Sequence, residues 1–306
     1  MTLLLVVEQG LNGLQFGVML FLMAAGLTLV FGIMNLVNLA HGSFYMVGAY
    51  LATTFFSWTG SFVAAVVLSL LTTLAVGVLV ELIALRTLYE RDHLDQVLAT
   101  FGLILFFNEL IAILWGRAAI YTATPAAFAG YIELAPRLRY PTYRVAVILV
   151  GLAVAALLYV VVTRTRFGML IRAGASNRTM VAALGVNIRL LYTVVFGFGA
   201  ALAGLAGLMA GPIYAVQPGM GEQILIQVFV VIVIGGIGSI RGALVGAILV
   251  GMVDTLGRAF LRPLLSTMVS PNAADAAGPA LASILIYVLM AAVLFLRPQG
   301  LFPARG

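Results

Sequence analysis

The chain has 306 residues, of which 63% are hydrophobic and 8% are charged, whereas a water-soluble domain carries roughly 25% charged residues. So apolar a composition excludes a soluble globular protein and indicates a membrane protein. The formal net charge is +6, and all 16 basic residues are arginines that lie between apolar stretches. This placement indicates membrane topology and lipid headgroups, rather than nucleic acid, as the reason for the positive charge.

The apolar runs predict an all-α polytopic membrane protein with a single domain over residues 1–306. We expect about eight transmembrane helices, or up to about ten if interrupted and re-entrant segments are counted separately. The first residues carry no positive charge, so we expect the N-terminal segment to be retained rather than cleaved. The seventh run would be about 50 Å long as one helix, against a core of about 30 Å, so glycines should divide it into two helices. The predicted spans are 11–33, 42–57, 61–85, 95–115, 143–163, 190–212, 223–257 and 279–296.

The arginines are unequally shared between the two predicted sides of the membrane. One side would hold those of 86–91, 164–189, 241 and 297–305, and the positive-inside rule places this larger group in the cytoplasm. The smaller group, on the other side, is Arg117, Arg137, Arg139, Arg144, Arg258 and Arg262.

A polar cluster interrupts the long uncharged stretch near the N-terminus. Residues 9–80 contain no Asp, Glu, Lys or Arg, yet Asn35–Ser43 places amides, an imidazole and a hydroxyl within it. Buried polar groups in a membrane are costly unless partnered, and they usually line a pathway or end a helix. Two interpretations stay open: the cluster lines a route, or Asn35 and Asn38 cap the first span while His41 lies at the water interface.

A second break, at Gly235–Gly242, divides the seventh run. The chain resumes similarly after both breaks, as VGAYL at 47–51 and as VGAIL at 245–249. Broken helices at matching places in two halves predict a central pathway, and their free ends could meet a zwitterion without any fixed charge. The alternative is that these glycines only let membrane helices pack closely.

The hydrophilic loop at about 164–189 carries five arginines and no acid. Its alanines favour a short amphipathic helix, and Gly185 followed by Asn187 indicates a helix end. Such an element could dock into a groove on a partner protein. The alternative is a topology-setting basic loop lying on anionic lipid.

Motifs along nearly the whole chain resemble those of branched-chain amino acid ABC transporter permeases. They are GLTLVFGIMNLVNLAHGSFYMVGAY at 26–50, LDQVLATFG at 94–102, RAGASNRTMVAALGVN at 172–187, GGIGSIRGA at 235–243 and RPQGLF at 297–302. The resemblance implies the ABC importer permease fold, with 164–189 as a cytoplasmic coupling loop. It further implies a permease subunit in the bacterial inner (plasma) membrane that takes up branched-chain or related amino acids.

Partners follow from the same resemblance. They are a second homologous permease chain, two cytoplasmic ATP-binding subunits and a periplasmic substrate-binding protein, besides membrane lipid. ATP and Mg²⁺ would be bound by the partner subunits, and this chain would bind no cofactor. In agreement, a chain without lysine cannot form the Gly-x-x-x-x-Gly-Lys-Ser/Thr phosphate loop, so we expect a transporter subunit rather than an enzyme.

The mechanism that the resemblance implies is alternating access, in which the docked loop passes ATPase movement to the helices and the two breaks switch state. We assign to the substrate pathway Asn35, Asn38, His41, Gly42, Ser43, Tyr45, Gly235, Gly236, Gly238 and Ser239. We assign to ATPase coupling Arg172, Asn177, Arg178, Ala182 and Gly185.

Two other classes of function compete with this interpretation. An ion-coupled secondary carrier for small amphipathic solutes would need a titratable carboxylate in the membrane, for which Glu109, Glu222 and Asp254 are candidates. An intramembrane enzyme is disfavoured because no catalytic motif occurs. The absence of cysteine and the presence of only two histidines, His41 and His93, predict neither catalytic residues nor a metal site.

Overall fold

The computed structural model describes residues 3–89, 91–136 and 138–302. Within them the chain is almost entirely helical, with one two-stranded antiparallel hairpin of β1 (Tyr131–Ala135) and β2 (Leu138–Pro141). The helices are α1 (Leu3–Met34), α2 (His41–Thr59), α3 (Phe62–Ile83), α4 (His93–Trp115), α5 (Thr142–Arg164), α6 (Arg166–Ser176), α7 (Arg178–Ala183), α8 (Ile188–Ala210), α9 (Met220–Gly235), α10 (Ile240–Leu265) and α11 (Pro271–Leu296).

The predicted polytopic all-α architecture is confirmed. In the described residues, seven helices are long and apolar enough to cross a membrane, namely α1, α3, α4, α5, α8, α10 and α11. The shorter α2 and α9 add to the bundle, and the seventh apolar run is indeed two helices, α9 and α10. Two helices start earlier than expected: α1 begins at Leu3 rather than residue 11, and α11 begins at Pro271 rather than residue 279. Proline is tolerated at that first helical position because its missing N–H has no intrahelical partner there.

The centre of the bundle is formed by α1 and α8, which are largely buried in protein. The outer helices α3, α4, α5 and α11 expose most of their apolar side chains, as expected of helices that face lipid. Small residues bring the central backbones together: a Cβ built on Gly48 would lie 2.3 Å from the Cα of Gly204, and one on Gly251 would lie 2.5 Å from the Cα of Gly17. Such close approach is typical of membrane helix packing.

The bundle has two distinct ends. The hairpin end comprises the β1–β2 hairpin, the α8–α9 loop (211–219) and the α10–α11 turn (266–270); backbone hydrogen bonds of 2.8 and 2.9 Å join Ile120 to Val216 there. The α6/α7 end comprises residues 84–89 and 91–92, helices α6 and α7, the break 236–239 and residues 297–302.

Arginines distinguish these two ends. The larger predicted group lies at the α6/α7 end and the smaller group lies at the hairpin end, a distribution from which the positive-inside rule predicts that the α6/α7 end faces the cytoplasm. Arg137 and Arg305, counted in that prediction, lie outside the described residues. Since α1 starts at the hairpin end, its first residues lie on the side opposite to α6 and α7.

Candidate functional site

A cavity of about 800 Å³ lies at the hairpin end of the bundle. Its walls are formed by the first half of α1, the start of α2, the start of α5, the α8–α9 loop, α9 and the second half of α10. The cavity is open, since the side chain of Arg258 is 50% exposed and Tyr214 is 45% exposed. Its polar lining residues are Gln9, Asn12, Gln15, Tyr45, Arg144, Tyr214, Gln217, Gln223, Gln227, Asp254, Thr255 and Arg258.

Three amides on α1 provide one wall of the cavity. Gln9, Asn12 and Gln15 recur every three residues, which places them on one face of the helix. The Asn12 Nδ2 donates to Gln9 Oε1 at 3.2 Å, while Asn12 Oδ1 accepts from the hydroxyl of Tyr140 at 3.1 Å and from Arg144. Asn12 therefore ties α1 to β2 and to the start of α5.

Three charged side chains face this cavity. Asp254 and Arg258, one turn apart on α10, form a two-pronged ion pair with both N–O distances at 2.9 Å. Arg144 has no carboxylate within salt-bridge distance among the described residues. Burial raises the pKa of the Tyr214 hydroxyl in the α8–α9 loop; the charge of Asp254 also raises it, whereas the charges of Arg144 and Arg258 lower it.

Below the cavity, toward the α6/α7 end, the helices are in backbone contact. A Cβ on Gly42 would lie 2.4 Å from the carbonyl oxygen of Gly221, and one on Gly26 would lie 2.6 Å from that of Gly199. No side chain fits between these helices, so the bundle is closed here.

The first predicted break lies mainly in this closed region. Asn35 is exposed and ends α1 in the left-handed conformation (φ 49°), with its N–H donating to the Phe31 carbonyl at 3.0 Å. His41 is fully buried rather than at the water interface, and its Nε2 is 3.2 Å from the Met23 carbonyl, so the chain folds back into the bundle after α1. Ser43 and Gly42 are also buried. Of the assigned pathway residues, Tyr45 lines the cavity.

Buried polar atoms without partners accompany this break. In the described residues, both side-chain polar atoms of Asn38, the Nδ1 of His41 and the Oγ1 of Thr28 have no hydrogen-bond partner. All three residues are at most 1% exposed. An unpaired buried polar group costs about 1–3 kcal/mol, so these groups disfavour the closed arrangement.

The second predicted break, like the first, lies at the α6/α7 end. A Cβ on Gly32, near the end of α1, would lie 3.5 Å from the Cα of Gly238, so the two breaks are neighbours. Ser239 caps α10 by accepting from the Gly242 N–H at 3.1 Å. None of the assigned Gly235, Gly236, Gly238 or Ser239 lines the cavity.

The C-terminal segment covers this second break. The N–H groups of Leu301 and Phe302 donate to the carbonyls of Ile234 and Gly235, both at 2.9 Å. A Cβ on Gly236 would lie 2.7 Å from the Phe302 carbonyl oxygen, so only glycine fits at this point.

The predicted coupling loop forms two helices, α6 and α7, rather than one. Asn177 separates them, because its Oδ1 accepts from the Met180 N–H at 2.9 Å and caps α7, and Gly185 (φ 86°) follows α7 in the left-handed conformation. Hydrophobic side chains are exposed there, with Met180 at 58% and Leu184 at 77%. The assigned coupling residues are all exposed; they are Arg172, Asn177, Arg178, Ala182 and Gly185.

The carboxylates considered for ion coupling all lie toward the hairpin end, and each has a polar partner. Glu109 is exposed and pairs with Arg117 at 2.8 Å. Glu222 accepts from the amide of Asn108, which links α4 to the start of α9. Asp254 is paired within the cavity, as described above.

A buried carboxylate that the sequence did not single out joins α3 to α8 at the α6/α7 end. The side chain of Glu81 is fully buried and accepts from Arg86 at 3.3 Å, from Thr193 at 2.7 Å and from the hydroxyl of Tyr89. Burial raises the pKa of Tyr89, and its hydrogen bond to Glu81 raises it further.

A helical bundle with lipid-facing apolar helices, a polar cavity at one end and close packing beyond it defines a multi-pass membrane transport protein. The comparisons agree. The family model described as "Branched-chain amino acid transport system / permease component" matches residues 10–294. The chain therefore belongs to this family of permease components and is a multi-pass inner-membrane protein.

Individual relatives point the same way. BraD of Pseudomonas aeruginosa, a high-affinity branched-chain amino acid transport system permease protein, is 30% identical over 96% of this chain and 94% of its own length. LivH of Salmonella typhimurium, with the same description, is 27% identical over 86% of this chain and 89% of its own length. A probable branched-chain amino acid transport permease protein LivH of Methanocaldococcus jannaschii is 28% identical over 81% of this chain and 80% of its own length. No solved structure matches the chain.

Proposed function

We propose that this chain is a transmembrane subunit of an ATP-driven ABC importer for branched-chain or related amino acids. The observation that carries the proposal is the polar cavity, which is open at the hairpin end and closed by backbone contacts such as Gly42–Gly221 toward the α6/α7 end. A periplasmic binding protein would release its amino acid into this cavity. The chain has no lysine for a phosphate loop, so ATP and Mg²⁺ would be bound elsewhere.

The exposed surface of α6 and α7 supports a cytoplasmic partner. Met180 and Leu184 present apolar side chains beside Arg172 and Arg178, which is a suitable surface for a groove on an ATP-binding subunit. Two such subunits and a second homologous permease chain complete the proposed assembly. This chain would then contribute transport and coupling but no ATPase chemistry of its own.

In the proposed cycle, closure of the ATPases moves α6 and α7 and separates the glycine contacts below the cavity. The breaks at Asn35–Ser43 and Gly235–Ser239 would then line the route to the cytoplasm. The unpartnered atoms of Asn38 and His41 support this proposal, because an inward-facing state would give them water or substrate as partners.

The test is uptake by the assembled transporter. The chain is co-expressed with its candidate permease, ATP-binding and binding-protein partners, purified and reconstituted in liposomes. We expect uptake of labelled leucine that requires both ATP and the binding protein. His41→Ala should lower this uptake without reducing the amount of assembled transporter. Uptake driven by an ion gradient with this chain alone would instead establish the secondary carrier.

A further inference from the structure

The charge balance of the cavity is uneven. Asp254 and Arg258 neutralise each other through their two-pronged pair, with Asp254 only 8% exposed. Arg144 is then the remaining charge, and within the described residues it is bonded to the neutral amide of Asn12. The cavity therefore presents a net positive charge to whatever enters it.

Arg144 is also held in a fixed place. It lies in the first turn of α5, whose N-terminus carries a partial positive charge that adds to the field of the guanidinium. Its Nη1 donates to Asn12 Oδ1, and the same oxygen accepts from Tyr140, which is 1% exposed. One donor thus anchors the side chain and leaves the other guanidinium N–H groups available, and their planar fork matches a carboxylate.

The other walls of the cavity are neutral and mostly polar. Gln15, Gln223 and Gln227 can donate or accept hydrogen bonds, so they can solvate an ammonium group without fixing it. An apolar surface for an aliphatic side chain, without a pocket of one defined shape, is given by Phe16, Ile213, Met220 and Ile224. The group that this cavity can distinguish most strongly is an anion.

We propose that Arg144 binds the α-carboxylate of the transported amino acid in the outward-open cavity and so determines its specificity for that group. This inference rests on the proposed function for the identity of the ligand. Arg144 does not select the side chain, so amino acids of different size share this first contact.

The chain contains no cysteine, so a single engineered cysteine can report on the cavity. Ala259 lines the cavity and is half-buried, and Ala259→Cys adds one thiol there. In the assembled transporter, the rate of thiol modification is measured with an anionic (sulfonatoethyl) and a cationic (trimethylammonioethyl) methanethiosulfonate of similar size. Complexes without the A259C change correct for cysteines in the partner subunits.

Two results are expected. Leucine should slow modification more than leucinamide does, because leucinamide has the same side chain but no carboxylate. Arg144→Gln should abolish this difference and lower the ratio of anionic to cationic rate by about tenfold, as expected when one charge is lost near the thiol. Arg144→Lys should restore the rate ratio but only part of the leucine protection, because lysine keeps the charge but lacks the fork.

Matched variants separate this role from a structural one. Arg139→Gln removes an exposed arginine of β2, outside the cavity but at the same end, and should change neither reading. Asn12→Ala removes the anchor of Arg144 but keeps its charge, so it should lower the protection by leucine while leaving the rate ratio near that of the parent. An Asn12→Ala change that lowered the rate ratio as far as Arg144→Gln does would show that the ratio follows the packing of α1 against α5 and not the charge of Arg144, and would overturn the proposal.

Equal protection by leucine and leucinamide in the parent, or unchanged rates in Arg144→Gln, would also overturn the inference. A different measurement tests the proposed function: if that function is wrong, the complex that carries Ala259→Cys will show no ATP-dependent leucine uptake. The ratio of the two reagent rates needs no transport, so it tests the anion preference of Arg144 in either case.

Discussion

The two ends of this bundle are built from opposite kinds of residue. At the hairpin end, polar side chains such as Asn12 and Arg144 join helices through hydrogen bonds at the wall of an open cavity. Toward the α6/α7 end, glycines such as Gly26 and Gly42 allow backbones to touch. Helix α1 takes part in both, because one face of its early residues lines the cavity, whereas its later residues are buried on all sides. The comparison teaches that the open and closed regions of one helix are set by side-chain volume and polarity along it.

The largest expected effect comes from filling a glycine contact of the closed region. Gly26→Ala would place a Cβ 2.6 Å from the Gly199 carbonyl oxygen, so α1 and α8 must separate. We expect a loss of about 3 kcal/mol in stability, measured by thermal unfolding in detergent. Gly102→Ala on α4 is the matched control, since nothing lies within 4 Å of its Cβ and alanine favours helix. Equal behaviour of the two variants would contradict the backbone contact.

The next prediction concerns the buried carboxylate at the α6/α7 end. Glu81→Gln removes the negative charge of the carboxylate that accepts hydrogen bonds from Arg86, Tyr89 and Thr193. The change also leaves Arg86 without its ion-pair partner. We expect a loss of about 2 kcal/mol, since Arg86 is 35% exposed and water replaces part of the pair. Chemical denaturation measures it. The exposed pair of Glu109 and Arg117 provides the control, because Glu109→Gln should cost under about 1 kcal/mol.

A third prediction contrasts stability with transport. Asn38→Leu replaces a fully buried amide that has no partner among the described residues. Removing that unpaired group should stabilise the closed region by about 1 kcal/mol in thermal unfolding. Because we place Asn38 on the inward-facing route, leucine uptake should fall at the same time. A variant that is more stable and transports normally would remove Asn38 from the pathway.

The smallest effect is expected at the junction of α6 and α7. Asn177→Ala removes the cap of α7 and should lower the local stability by about 1 kcal/mol, seen as faster amide exchange over 178–183. Asn177→Asp keeps an acceptor at the same place and should restore protection. If the coupling assignment is right, leucine-stimulated ATPase activity should follow the same order.

The sequence predicted the fold better than the site. Predicted spans such as 95–115 and 143–163 agree with α4 and α5 within two residues. The agreement is close because charged or glycine-containing segments mark both ends of each uniform apolar run. The break between α9 and α10 was visible from its glycines. The β1–β2 hairpin was not predicted, since its strands have only five and four residues and β1 is mostly exposed, so the hairpin shows little of the alternating apolar pattern that predicts half-buried strands.

The cavity was harder to predict. Tyr45 and Asp254 belong to the predicted sets, although for different reasons, whereas Gln9, Asn12 and Gln15 were not predicted to line a cavity. Their three-residue spacing was the available signal, because it places them on one helix face. Arg144 and Arg258 belong to distant segments, and only tertiary packing brings them to this wall.

The tail that covers the second break also sets an order of events during synthesis. The carbonyls of Ile234 and Gly235 accept from Leu301 and Phe302, which are translated after α10 and α11. These two carbonyls therefore have no tail partner until both later helices have been synthesised. Docking of the tail is accordingly a late step in maturation, and a nascent chain stalled after α11 would still expose the carbonyls of Ile234 and Gly235.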